Sequence, residues 1–181
     1  MKVIFFITTL IFILLACGGG KKEDSVHTKI VQYEDSIAQW GGGQGDIDRR
    51  NDFANRYISV LQQAYNEEPE NPKTPGYLDR IHMWYSTIGD ANNSMKWAKI
   101  LLEKYPKYEN REMLLESIAS MYDSEIIPRD SLKVKEYYTQ LLKEFPNLDK
   151  EKRNDIENRL KYNNLTFEAY LMKQINDIEL P

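Results

Sequence analysis

The sequence predicts an all-α protein in which helical hairpins stack into a short α–α superhelix, closed by a C-terminal pair of capping helices. Along most of the chain, apolar residues recur at three- and four-residue spacing, which is the period of an amphipathic helix. No stretch alternates apolar and polar residues for long enough to predict a strand. A shift of 37 residues superimposes several apolar positions, which indicates stacked structural units.

Residues 1–16 are predicted to be a signal peptide. Lys2 supplies one positive charge, and a short apolar run follows it, which is the layout of a secretory signal. A transmembrane helix needs about 20 apolar residues, and this run is shorter. The run ends in Leu14-Leu15-Ala16-Cys17, which resembles the lipobox of bacterial lipoproteins. The resemblance implies that Cys17 is the lipidation site, with three acyl chains, palmitate among them, on the mature terminus.

An ordinary secretory signal, with Cys17 near the cut by coincidence, is the alternative. Cys17 is the only cysteine in the chain, so it cannot form an internal disulfide, and an exported protein gains little from a free thiol. Two or more acyl chains anchor a protein stably to a bilayer. In lipoproteins that resemble this one, a residue other than Asp after the cysteine, here Gly18, implies the outer membrane, on its periplasmic or cell-surface face.

The mature chain is predicted to begin with a flexible tether and to continue as one helical domain. The tether spans 17–28, is rich in glycine and charge, and reaches at most about 40 Å. The domain spans 29–181. Its first helices are predicted at 31–40, before the glycine run 41–43, and at 48–67. Four helical patterns then follow the prolines of 69–75, and a final region holds two more helices divided near Asn163. The four patterns cover 76–88, 92–104, 110–124 and 131–144.

The repeat defines two units, 69–106 and 107–146, with 149–178 as the cap. The 37-residue shift places Leu78 on Leu115 and Ile81 on Ile118. Both units end in an aromatic residue and a proline, and the three extra residues of the second unit are predicted at 126–128. One helical pair cannot bury its apolar face alone, so such units must stack and be capped.

These units resemble the tetratricopeptide repeat (TPR) family. The large first-helix positions of the family fall on Leu78, Ile81 and Tyr85, its small residue on Ser94, and a later core position on Leu101. The chain departs from the family pattern where the family prefers glycine, at His82, and in its longer units. A non-repetitive helical bundle is the alternative fold.

Composition and residue inventory exclude several functional classes. With 41% hydrophobic and 29% charged residues, the chain can bury a core. The net charge of −4 argues against a nucleic-acid partner, which would need clustered basic residues. His27 and His82 are far apart and Cys17 is acylated, so we predict no metal site and no cofactor. His82 is predicted to be a partly buried packing residue. Because no nucleophile motif or phosphate-binding loop is present, we predict that the chain is not an enzyme.

The TPR resemblance implies that a partner binds to outward positions of the first helix of each unit. In this chain these positions are Asp79, Met83, Ser86, Thr87, Glu116, Ser120 and Asp123. A surface with acid, hydroxyl and thioether groups suits a basic or extended peptide. We therefore expect an outer-membrane lipoprotein that acts as a protein–protein adaptor in an envelope complex for secretion, outer-membrane protein assembly or motility.

A binding lipoprotein for a small ligand, such as a glycan or peptide, is the alternative function. It would use Trp40, Trp84 and Trp97 as stacking platforms. The triplet Asp-Ser-aliphatic, at Ser25, Ser36 and Ser131, also resembles a bacterial O-glycosylation signal. At Asp130 we instead predict a helix N-cap.

Overall fold

The computed structural model describes residues 25–39 and 47–179. Within these residues the protein is all-α, as predicted, with eight helices and no strand. The helices are α1 (Val26–Gln39), α2 (Ile47–Glu67), α3 (Thr74–Thr87), α4 (Ala91–Lys104), α5 (Arg111–Ser120), α6 (Ser131–Glu144), α7 (Lys150–Lys161) and α8 (Phe167–Glu179). A π-helical turn, Met121–Glu125, continues α5. None of these helices is long and apolar enough to cross a membrane.

From α1 to α7, each helix packs mainly against its neighbours in sequence. α1 packs on α2, α2 on α3, and so on to α7 on α6. Short turns join the members of each hairpin. This packing is consistent with the predicted α–α superhelix. The predicted signal peptide, Cys17 and Trp40 lie outside the described residues.

The two predicted units end in the same backbone geometry. Tyr105 ends α4 with φ −125° and ψ 67°, and Phe145 ends α6 with φ −120° and ψ 72°. Each donates its backbone N–H to the carbonyl oxygen four residues earlier, on Leu101 and Leu141. The aromatic-Pro sequence therefore forms the same helix end twice.

Residues that the repeat places in equivalent positions are also equivalent in the core. Each of them is fully buried: Leu78 and Leu115, Ile81 and Ile118, Leu101 and Leu141. They belong to one continuous cluster that extends from α1 to α7. Since burial of apolar side chains is the main stabilising term in folding, the repeated positions hold the stack together.

Aspartates cap the N-termini of α4, α6 and α7. The carboxylate of Asp90 accepts from the backbone N–H of Asn93 at the start of α4, and Asp149 caps α7 in the same way. Asp130 accepts from the N–H groups of Leu132 and Lys133, which confirms the predicted cap. In the turn between α3 and α4, Gly89 lies two residues after the end of α3 and adopts φ 78°, a conformation that glycine adopts without a steric penalty.

α1 begins earlier than predicted. Residues 26–28 were assigned to the flexible tether, but they form the first turn of α1, and Val26 is buried. The signal was present in the sequence, because Val26, Ile30, Tyr33 and Ile37 follow helical spacing. The predicted tether is therefore shorter at its C-terminal end.

The second unit is longer because of the chain between α5 and α6. α5 ends in the π-helical turn, and residues 126–130 then connect it to α6. The insertion predicted at 126–128 falls in this connection. Ile127 is almost fully exposed there, so the extra residues lie outside the core.

Candidate functional site

Two of the predicted partner-binding residues of the first unit line a groove between α1 and α3. Met83 is 58% exposed, and the Thr87 hydroxyl donates a hydrogen bond to the Met83 carbonyl oxygen at 2.9 Å. Both lie along a lobe of about 500 Å³. Asp79 and Ser86 are half-buried and do not line the groove.

The lobe beside Met83 is mainly apolar. Ile37 of α1 and Trp84 of α3 face it, and Tyr57 of α2 also lines it. The Trp84 ring is packed against Phe53 and Tyr57, with ring centroids 5.9 and 6.1 Å apart. These contacts hold the indole in place, so the apolar lobe is preformed.

A second lobe, of about 570 Å³, adjoins the first and is the more polar of the two, so we call it the polar lobe. Three segments meet around it: the first turn of α1 with His27, the turn before α3 with Lys73, and the turn before α5 with Lys107 and Tyr108. The two turns are joined directly, because the Tyr105 hydroxyl donates to the Pro69 carbonyl oxygen at 2.6 Å.

An ion pair lies where the two lobes meet. Arg80 of α3 and Glu34 of α1 line both lobes, and Arg80 Nη2 lies 3.2 Å from Glu34 Oε1. The Tyr57 hydroxyl donates to the same carboxylate at 3.2 Å. Burial raises the pKa of Tyr57, so its hydroxyl stays protonated and remains a donor. The two lobes therefore adjoin at this charged pair, and together we call them the groove between α1 and α3.

His27 fastens α1 to the rest of the domain at the polar end of the groove. Its Nδ1 lies 3.1 Å from the Tyr77 hydroxyl, and its Nε2 lies 3.1 Å from a carboxylate oxygen of Glu68. Hydrogen bonds from Asn71 and His27 lower the pKa of Glu68. His27 was predicted to lie in the tether, so sequence reasoning missed this contact.

The predicted site residues of the second unit do not form an equivalent groove. Glu116 Oε2 lies 2.6 Å from Lys152 Nζ of α7 and lines a separate cleft near α7 and α8. Ser120 is exposed and outside all three cavities described here. The predicted set is therefore divided between different parts of the surface.

Asp123 was predicted to line the binding surface, and this prediction is wrong. Its side chain is buried, with the residue only 4% exposed, and two arginines bind its carboxylate. Arg159 of α7 donates to both oxygens, and Arg129 Nε donates to Oδ1 at 2.7 Å. In a stack of the two units alone, Asp123 would be exposed. In this protein the C-terminal helices cover it, through Arg159 of α7.

His82 is a buried polar link between three helices. Its Nδ1 lies 2.8 Å from Ser94 Oγ of α4, and its Nε2 lies 3.1 Å from Ser117 Oγ of α5. Ser94 Oγ donates to the His82 carbonyl oxygen, so Nδ1 donates to Ser94, and Nε2 accepts from Ser117. Burial lowers the pKa of His82, against the charge of Asp79, which favours this neutral form. His82 is thus a packing residue, more buried than predicted.

The tryptophans proposed as stacking platforms differ in accessibility. Trp84 lines the apolar lobe, whereas Trp97 is only 9% exposed and makes an edge contact with Tyr65. A ligand cannot stack on Trp97, so that part of the alternative is wrong. Among the described residues, no three His, Cys, Asp or Glu side chains are grouped as metal ligands would be.

Comparison with known protein families, with curated proteins and with solved structures finds no match to this chain.

Proposed function

We propose that this protein is a TPR-like lipoprotein, anchored in the outer membrane through Cys17, that acts as an adaptor for protein partners in an envelope complex. The motif Leu14-Leu15-Ala16-Cys17 supports the anchor. The stack of helical hairpins supports the adaptor, because such stacks present extended binding surfaces.

The observation that carries the adaptor proposal is the groove between α1 and α3, made of two adjoining lobes. Its two lobes, of about 570 and 500 Å³, are each of the size that holds side chains or a small ligand. A groove with an apolar lobe and a polar lobe suits a protein segment, which offers both kinds of side chain.

Mass spectrometry of the mature N-terminus tests the anchor. We expect an N-terminal cysteine carrying a thioether-linked diacylglycerol and an amide-linked acyl chain. A Cys17→Ala variant should yield no acylated peptide. An unmodified mature terminus in the wild type, or cleavage elsewhere, would exclude the lipoprotein.

Purification of the full-length protein from detergent-solubilised membranes tests the adaptor. A protein partner in stoichiometric amount is expected to be recovered with it and to increase its native mass. Recovery of the chain alone, at the mass of a monomer, would count against an adaptor.

Binding of a small ligand is the second candidate, and Trp84 favours it, since an indole at the wall of an apolar lobe suits stacking. Titration of the protein with short oligosaccharides and peptides would then change tryptophan fluorescence, and a Trp84→Phe variant would lose that change. The adaptor proposal expects no response to oligosaccharides.

A further inference from the structure

The polar lobe is locally positive, although the chain as a whole has a net charge of −4. Lys73, Arg80 and Lys107 line it, against the two acids Glu34 and Glu109. Arg80 and Glu34 pair with each other. The lobe therefore keeps a basic excess at the end where the two turns meet.

Lys73 and Lys107 supply this excess without an internal counter-ion. Both side chains are exposed, and no carboxylate among the described residues lies within ion-pair distance of either Nζ. They come from different units, 34 positions apart, and the Tyr105–Pro69 hydrogen bond holds their turns together. Two lysines converging on one lobe are complementary to a carboxylate.

The apolar lobe suits an apolar side chain of the ligand, in contrast to the polar lobe, which suits a carboxylate. Met83, Trp84 and Ile37 offer that apolar side chain thioether, indole and aliphatic surface. Met83 is a long, exposed side chain that can close over a bound group. A bulky aliphatic or aromatic side chain therefore fits this end.

The distance between the two ends sets the spacing of the ligand groups. Lys73 immediately precedes α3, and Met83 lies ten positions later on the same helix, a rise of about 15 Å at 1.5 Å per residue. An extended peptide advances about 3.3 Å per residue. It therefore covers this distance in about four to five residues.

We infer that the groove between α1 and α3 binds an extended segment of a partner protein that carries an acidic residue and a bulky apolar residue four or five positions apart. The acidic side chain lies between Lys73 and Lys107, and the apolar side chain lies against Met83 and Trp84. This inference rests on the proposed adaptor function and specifies the partner that the groove takes.

Synthetic peptides in a Gly-Ser background test it. Each carries one Glu and one Phe, in either order, at separations from two to twelve positions, and its affinity for the full-length protein in mild detergent is measured by fluorescence polarisation. The expected optimum is at a separation of four or five. An optimum near ten, the separation along a helix of the same length, would overturn the extended geometry.

Paired variants assign the contacts. The double change Lys73→Glu and Lys107→Glu is expected to weaken the best peptide at least tenfold, and its control is Lys135→Glu with Lys150→Glu, two exposed lysines outside the groove. Met83→Glu is expected to weaken binding similarly. Its control is Met172→Glu, because Met172 is 59% exposed on α8, against 58% for Met83.

The outcomes separate this inference from the adaptor function. The inference is overturned if no peptide binds, if separation has no effect, or if the control variants lose as much affinity as the groove variants. It is also overturned if a stoichiometric partner recovered from membranes is retained by Met83→Glu protein, and in that case the adaptor function stands. Absence of any partner from wild-type membranes counts against the adaptor function itself.

Discussion

Arg159 and Asp123 form a buried two-point ion pair that joins α7 to the end of α5. Arg159 Nε lies 2.6 Å from Asp123 Oδ2, and Nη2 lies 2.7 Å from Oδ1, with both side chains at most 5% exposed. The guanidinium also donates to the carbonyl oxygens of Tyr162 and Leu165 and lies over the Tyr170 ring, 4.8 Å from its centroid. Polar contacts thus help to attach the two C-terminal helices to the stack, in addition to the buried Ile156 of α7.

Replacing Arg159 with Ala should destabilise the protein strongly. It leaves Asp123 buried with only Arg129 as a charged partner, and breaking a buried ion pair costs about 3–5 kcal/mol. Urea unfolding measures this loss. Arg56→Ala is the matched control, since the Arg56–Asp52 pair is well exposed and such pairs contribute about 0–1 kcal/mol. Similar losses in the two variants would contradict a structural role for the buried pair.

The burial of His82 should make stability depend on pH. Because the folded-state pKa is lowered, the unfolded chain binds a proton more readily than the folded chain. The contribution of neutral His82 is fully present above the unfolded pKa of about 6.5 and is lost as the pH falls towards the folded-state value. A His82→Gln variant removes this titration while keeping polar groups near Ser94 and Ser117.

Urea midpoints of the wild type and of His82→Gln between pH 5 and pH 8 measure the effect. Wild-type stability should decline more steeply than that of the variant as the pH falls below about 6.5. Parallel curves for the wild type and His82→Gln would show that burial of His82 has no thermodynamic consequence.

Side chains at equivalent positions of the two units should contribute similarly to the free energy of unfolding. Leu78→Ala and Leu115→Ala each leave a cavity at a fully buried site, and such changes cost about 2–5 kcal/mol. Leu132→Ala, at a side chain 77% exposed, should change stability by less than about 0.5 kcal/mol. Thermal or urea unfolding distinguishes these cases. A large loss at one repeat position and none at the other would indicate that the two units are not energetically equivalent.

The cap at Asp130 offers a further, local test. Asp130→Ala removes the acceptor for the N–H groups of Leu132 and Lys133, which should cost about 1 kcal/mol. Asp130→Asn keeps an acceptor oxygen and should cost much less. If the two variants are equally stable by urea unfolding, the carboxylate does not cap α6.

Helical periodicity was enough to predict α2 to α8 closely, because apolar residues recur at helical spacing in each of them. In α8, however, Leu171, Met172 and Ile175 of this stripe are exposed. The predicted break near Asn163 agrees with the end of α7 at Lys161. The repeat also predicted which leucines and isoleucines are buried. These features depend on local patterns, which a single sequence displays directly.

The candidate site was only partly predictable, because it depends on contacts between distant segments. Met83 and Thr87 were assigned from their position within the unit, and both line the groove. Lys73, Lys107 and His27 come together only after three segments meet, and nothing in their spacing indicates that. Asp123 was misplaced for the same reason, since Arg159 lies 36 positions away and covers it only in the folded chain. The lipid on Cys17 and the adaptor function stay predictions.

The early start of α1 has a consequence for how strongly the groove must bind. Only eight steps separate Cys17 from Ser25, the residue before α1, and at about 3.5 Å per residue they reach at most about 28 Å. Because His27 lies in the first turn of α1 and lines the groove, an acylated Cys17 would confine the groove to a thin layer beside the bilayer. A membrane-attached partner in that layer meets the groove at an effective concentration on the order of millimolar. A weak contact would then suffice for nearly full occupancy, and the same contact would be lost once either protein leaves the membrane.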